Sequence, residues 1–227
     1  MSASAKFRGI LFDLWGTLAP TSSATALTQH LQSVVDALGA DRISFARDWE
    51  ESMPERCRGE LGSLEETLQW VAARQAFTPT EQAIRRAAEI RLAFHRAALE
   101  ASAPLLPALD ELREAGMRLV LVSDATSETP RMWSSIPLGS RFAATVFSCE
   151  TGFCKPDPRA YARAAELIGL APGECAFVGD GGSRELTGAT AAGLTAFLYR
   201  FPGETLDPDR RYEPDVAWKG RRLDDLR

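Results

Sequence analysis

Residues 7–18, Phe-Arg-Gly-Ile-Leu-Phe-Asp-Leu-Trp-Gly-Thr-Leu, constrain the fold more than any other stretch. The apolar run 10–12 stops at a carboxylate, Asp13, and a glycine and a hydroxyl follow at Gly16 and Thr17. A short apolar run without polar alternation suits a strand buried on both faces, as in a parallel sheet. Asp13 then falls at the carboxyl end of that strand, where open α/β sheets place their ligands. A carboxylate there serves as a nucleophile or a metal ligand. On this stretch alone, an Asp that merely caps the next turn is the competing reading.

The chain beyond residue 103 supports the sheet. Helix 108–115 stops at Gly116 and strand 117–123 follows. A weak helix at 129–135, strand 144–149, helix 158–168, strand 175–179, helix 184–192 and strand 195–199 complete an alternation. A last short strand is expected within 214–220, and the start of a helix within 223–227. Alternation of this kind implies parallel strands joined by right-handed crossovers. Between 24 and 102 the strong patterns are helical instead. Leu27, Leu31, Val34, Val35 and Leu38 form one stripe, stopped by Gly39. A shorter candidate spans 45–53, and Leu64, Leu68, Val71 and Ala72 form another stripe. A long helix at 81–101 follows, with Thr80 as its cap. A helical segment of about 80 residues therefore splits an α/β core after its first strand, and 227 residues suffice for both.

Composition narrows the function classes. The net charge of −5 and the lack of a long basic run argue against nucleic acid or an anionic membrane surface as partner. No apolar run approaches the roughly 18 residues of a membrane span. Residues 1–6 hold no apolar signal-peptide core, so a cytoplasmic protein is expected. Cys57, Cys149, Cys154 and Cys175 form no C-x-x-C pair, and two of them fall in expected buried strands. They read as reduced packing cysteines rather than disulfides or zinc ligands. His30 and His95 have no partner at ligand spacing and read as surface or packing residues. Lysine is scarce: Lys6, Lys155 and Lys219 are the only three.

Polar residues collect at the strand ends. Strand 117–123 delivers Ser123 and Asp124, and strand 175–179 delivers Asp180 after Gly179. Gly152-Phe-Cys-Lys-Pro-Asp-Pro158 sets Lys155 before a proline-opened helix. Asp13 and Asp180 could share a hard divalent cation, most suitably Mg²⁺, which accepts a few carboxylates and keeps water or phosphate oxygens. Ser123, Thr17 and backbone N–H groups, Gly16 and Asp124 among the loop residues, suit phosphate oxygens, and Lys155 balances phosphoryl and Asp13 charge. Glu185, just after Gly181-Gly182-Ser183, opens a helix either as a dipole-stabilising acid or as a direct or outer metal contact.

Taken in order, Asp13-Leu-Trp-Gly-Thr17, Ser123, Lys155 and Gly179-Asp180 with Glu185 resemble the four motifs of the haloacid dehalogenase-like hydrolase superfamily, most of whose members are phosphatases. The resemblance covers the whole split core. It implies a three-layer, Rossmann-like parallel-sheet core over 1–20 and 103–227, with a helical C1-type cap over 21–102 inserted after the first strand. It implies Asp13 as nucleophile, with Lys155 and Ser123 catalytic. It also implies Mg²⁺ held by Asp13, the Trp15 backbone carbonyl and Asp180, with Glu185 beside them. The expected substrate is a small phosphorylated metabolite, and the expected assembly a monomer or homodimer.

One departure stands out. Phosphatases of this superfamily carry a second aspartate two residues after the nucleophile, which protonates the leaving group and then activates water. Here that residue is Trp15. Loss of general acid–base help typically costs about 10²–10⁴ in rate. The superfamily's haloacid dehalogenases also have an aromatic residue there, and a halide leaves without a proton. Those enzymes use no metal and lack the acidic fourth motif, which Asp180 and Glu185 supply here. Phosphonatases use a cap lysine, and 21–102 contains none. The expected activity is a Mg²⁺-dependent phosphatase forming an aspartyl-phosphate on Asp13. A 2-haloacid dehalogenase, or a weakly catalytic binding protein, is the alternative.

Overall fold

In the computed structural model the described residues are 7–203 and 212–213. The strands expected from sequence form one five-stranded sheet. They are β1 (Gly9–Phe12), β2 (Arg118–Ser123), β3 (Ala144–Phe147), β4 (Cys175–Gly179) and β5 (Thr195–Leu198). Their order is β3-β2-β1-β4-β5, and every pairing is parallel. Phe12 aligns with Leu121 on one side and Val178 on the other, so β1 is central. The chain fills the sheet outward from β1 to β3, then returns to lay β4 on β1's other side. That reversal opens a crevice at the carboxyl ends of β1 and β4.

The ten α-helices of the described residues are α1 (Ala24–Leu38), α2 (Arg42–Glu51), α3 (Met53–Cys57), α4 (Leu64–Ala73), α5 (Glu81–Glu100), α6 (Leu106–Glu114), α7 (Glu128–Trp133), α8 (Ser148–Thr151), α9 (Pro158–Leu167) and α10 (Glu185–Ala191). Strand side chains alternate between the two faces. Ile10 and Phe12 pack on one face with Leu121, Met132 and Trp133. Leu11 packs on the other with Val120, Tyr161, Phe177 and Leu186. The continuous apolar runs of the sequence reflect this double cover. The helices between β1 and β2 bury a third cluster of their own, including Val34, Phe45, Trp49, Leu68, Val71 and Ile84.

Local chemistry sets the helix ends. Ser23 and Thr80 cap α1 and α5 through the N–H groups of Ala26 and Ala83, and Gly39 ends α1 at φ 75°. The segment expected as one helix over 45–53 is two. Asp41 starts α2 early by accepting from the Ser44 amide, and Ser52 separates it from α3, whose first turn holds Pro54. Strand 144–149 is shorter than expected, because the Ser148 hydroxyl accepts from the Ala125 amide and turns the chain into α8. Cys149 is therefore half-buried in a helix, not in a buried strand, while Cys175 is buried in β4; all four thiols are free. His30 is a packing residue, stacked on Phe94 with ring centroids 4.1 Å apart. The strand expected within 214–220 and the helix within 223–227 lie outside the described residues. Among the described residues no helix is long and apolar enough to cross a membrane.

Candidate active site

Asp13 is the first residue beyond β1. Its amide donates to Val178 O at 2.9 Å, fixing the carboxylate between β1 and β4. The loop after it folds tightly, with Gly16 N donating to Ala19 O at 2.7 Å and both Leu18 N and Ala19 N donating to Leu14 O. Gly16 has φ +84°, and a Cβ there would lie 2.3 Å from Asp180 Oδ2. Only glycine meets both demands, which explains its place in the motif. Thr17 Oγ1 donates to Asp13 Oδ2 at 3.1 Å.

The other loops close on the same point. Ser123 ends β2, is 1% exposed, and its Oγ has no hydrogen-bond partner among the described residues. Asp124 Oδ1 accepts the Lys155 amide at 2.8 Å, tying the loop after β2 to the loop after α8. Lys155 Nζ donates to Asp13 Oδ1 and to Glu185 Oε2. Asp180 is fully buried and its Oδ1 accepts from Gly182 N at 2.8 Å. Ser183 and Arg184 take the left-handed conformation, at φ 53° and 58°, and turn the chain so that Glu185 points back at the site. Glu185 Oε1 accepts from Gly181 N at 3.0 Å. Trp15 turns its ring edge-on to His95 of α5, with centroids 5.6 Å apart.

Asp13, Asp180 and Glu185 are buried and offer oxygens that all lie within 4.8 Å of one another. Three carboxylates face one ammonium, Lys155. Burial, then Asp13, raises the Glu185 pKa well above the usual carboxylate range, and Lys155 offsets this only in part. Burial alone would lower the Lys155 pKa, but Asp13 and Glu185 together hold it well above its usual value. Fully ionised, these four side chains sum to a charge of −2. An all-oxygen, acidic set with that excess fits a hard divalent cation, and the glycine at position 16 leaves the Asp180 carboxylate the room it needs.

Every residue singled out from the sequence lies on this edge of the sheet. Gly16 spends its amide on Ala19, and Asp124 is committed to the Lys155 backbone. The sequence reading missed a second buried charged group, on the helices. Arg91 Nε of α5 donates to Glu128 Oε1 at the start of α7 at 2.8 Å, and Arg56 of α3 is buried nearby. No spacing rule links Arg91 to Glu128, 37 residues away. The one available signal was an arginine, Arg91, on the apolar stripe of α5.

A profile of haloacid dehalogenase-like hydrolases matches residues 7–193. A phosphoserine phosphatase of Thermus thermophilus is 32% identical over 159 residues, 68% of this chain and 60% of that protein. The chain spans between 38% and 60% of the length of the curated relatives it matches. A crystal structure of an enzyme of this family from Bacteroides thetaiotaomicron, in complex with magnesium and inorganic phosphate, superposes with TM-score 0.61 at 17% identity, covering 88% of this chain and 98% of that one. A 2-haloacid dehalogenase from Pseudomonas syringae superposes with TM-score 0.63 at 21% identity, covering 91% and 92%. With the profile spanning β1 to β4 and every polar segment of the candidate site, the chain belongs to the haloacid dehalogenase-like hydrolase family.

Proposed function

We propose that the protein is a phosphatase of small phosphorylated metabolites that uses Asp13 as its nucleophile and Mg²⁺ as its cofactor. The carrying observation is the buried set Asp13, Lys155, Asp180 and Glu185, with the unpartnered Ser123 hydroxyl beside it. An Asp13 carboxylate oxygen attacks phosphorus, the bond to the leaving oxygen breaks, and water later releases phosphate from the acyl-phosphate. Lys155 and the Ser123 hydroxyl hold the phosphoryl oxygens, and Thr17 orients Asp13 through the oxygen that does not bond Lys155. Asp13, Asp180, the Trp15 carbonyl and Glu185 would hold the cation, which supplies charge neutralisation to phosphoryl transfer when bound.

In this reading, residues 21–102 form a C1-type cap over a core of 1–20 and 103–227. Its support is the separate apolar cluster of the helices between β1 and β2. Asp13 is 3% exposed and Ser123 1%, so the cap must lift for substrate to enter.

Trp15 offers no proton. Aryl and acyl phosphates, whose leaving groups depart unprotonated, are therefore the favoured substrates. The same residue favours a second reading, 2-haloacid dehalogenase, and the acidic pair Asp180 and Glu185 opposes it. The test is turnover with and without Mg²⁺ across alkyl, aryl and acyl phosphates and 2-haloacids. We expect Mg²⁺-dependent phosphate release, fastest from aryl and acyl esters and abolished in Asp13→Asn. Trp15→Asp, once shown to be folded, should gain most on alkyl esters. Halide release without Mg²⁺, and no phosphate release, would establish the dehalogenase instead.

A further inference from the structure

Two buried guanidiniums and one buried carboxylate meet where α3 and α5 face the loops of the sheet. Arg56 is 5% exposed and Arg91 8%. Both lie against one indole, with Cζ atoms 4.1 Å and 5.0 Å from the Trp49 ring centroid. Arg91 has its counter-ion in Glu128. Arg56 donates from Nε to Ser52 Oγ at 3.1 Å and from Nη2 to Trp49 O at 2.9 Å. Its Nη1 is equally buried and has no hydrogen-bond partner among the described residues.

A guanidinium has donors only, and an unmet buried donor is costly, more so when charged. Burial and the neighbouring Arg91 bring the Arg56 pKa down to about 10, so at neutral pH it remains a cation. His30 and His95 add no charge, since burial and Arg91 depress both to about 4. The three buried groups Arg56, Arg91 and Glu128 therefore sum to one positive charge, with exposed Glu50 the next carboxylate that Arg56 feels. Capping the end of α2 through Trp49 O accounts for Nη2 and leaves Nη1 unexplained.

Chain neighbours of the two arginines touch the loops of the candidate site. α3 ends at Cys57, whose carbonyl oxygen is 3.8 Å from Sγ of Cys154, the residue before Lys155. On the other flank, His95 lies one turn along α5 from Arg91 and meets the ring of Trp15, two residues after Asp13. The helices that carry Arg56 and Arg91 thus touch the loop of the site lysine, through Cys57, and the loop of the nucleophile, through His95.

We propose that Arg56, through Nη1, seats a carboxylate of the substrate's leaving group, so that the substrates are small phosphorylated carboxylic acids. This deepens the phosphatase reading and rests on it. A single surplus charge matches a carboxylate rather than a second phosphate, and the planar fork of a guanidinium suits carboxylate oxygens.

The test uses 3- and 4-carboxyphenyl phosphate, each against its carboxamide, so that paired leaving groups differ little apart from the charge. In the wild-type protein we expect kcat/KM to favour at least one carboxylate over its amide by about tenfold, mainly through KM, the effect of one charge-assisted hydrogen bond. In Arg56→Met that ratio should fall to about one. A merely structural arginine would slow both members of a pair and leave their ratio unchanged. Equal turnover within both pairs by the wild type, or a ratio that survives Arg56→Met, overturns the proposal. If Arg56→Met melts below the assay temperature, Arg56→Lys takes its place, and an unchanged ratio there is equally fatal. If no ester is hydrolysed, the phosphatase reading falls, and calorimetry of the same esters on Asp13→Asn decides the seat. Preferential binding of a carboxylate supports it, and equal or absent binding overturns it.

Discussion

Gly16 shows how much a single position carries. Its positive φ and its contact with Asp180 make the smallest substitution expensive twice over. Left-handed backbone costs a non-glycine residue about 1–2 kcal/mol. In Gly16→Ala the methyl group must also push the Asp180 carboxylate aside. We expect thermal denaturation to show a loss of at least about 1 kcal/mol, and phosphate release to fall by about two orders of magnitude, as for a misplaced catalytic group. Added Mg²⁺ should stabilise Gly16→Ala less than the wild type. The motif around Gly16 was legible in the sequence because each part answers a local demand: a buried strand, a carboxylate at its end, a glycine where the backbone needs one. Trp15 was legible as a departure, but its partner was not. The ring meets His95, 80 positions later in the chain, and nothing local to either residue announces that contact.

At the level of elements, α7 joins the helices that follow β1 to the sheet. It begins just beyond the Ser123-Asp124 loop, and three of its neighbours on those helices reach it or the turn after it. Arg91 pairs with Glu128, Glu65 with Arg131 at 2.7 Å, and Arg96 with the Ser135 hydroxyl. The Glu65–Arg131 pair is partly exposed and worth little. The Arg91–Glu128 pair is buried, and removing one partner of such a pair typically costs about 3–5 kcal/mol. Glu128→Gln should therefore lower the urea midpoint markedly, and the double change Glu128→Gln with Arg91→Met should recover much of the loss. Burial alone would raise the Glu128 pKa, but Arg91, with help from His95, pulls it well below the usual carboxylate range. A depressed carboxylate stabilises the fold above its unfolded-state pKa of about 4.3 and loses that contribution as the pH falls through the folded value. The wild type should thus lose stability on acidification below about pH 4.3, and Glu128→Gln should lose less over the same range. Sequence patterns gave the existence of α7 weakly and its task not at all. Periodicity reports which face of a helix is apolar, whereas this docking rests on ion pairs between segments far apart in the chain.

For the molecule as a whole, alternation and strand-end polarity were enough to place the sheet, its parallel sense and the edge where the polar side chains collect. Strand order was not readable, since β4 and β5 could have continued beyond β3 without altering the local pattern. How far the helices close over the edge was also hidden, because closure depends on the match between two surfaces. That closure gives Lys155 a use in the laboratory. It is the only lysine among the described residues, and only 6% of its surface is exposed. In a chain with just three lysines, an acylating or reductively methylating reagent has few primary amines to find, the α-amino group included. Modification at Lys155 then becomes a clock for lifting of the helices. Peptide mass mapping should show Lys155 labelled far more slowly in the folded protein than in the same chain unfolded in urea. Inorganic phosphate with Mg²⁺ should slow it further, and mild urea should release it before the sheet unfolds. Labelling of Lys155 as fast as that of a free peptide would mean that the site stands open in solution. Methylated with carbon-13, the same nitrogen would give one isolated resonance at the centre of the proposed chemistry, without introducing any new residue.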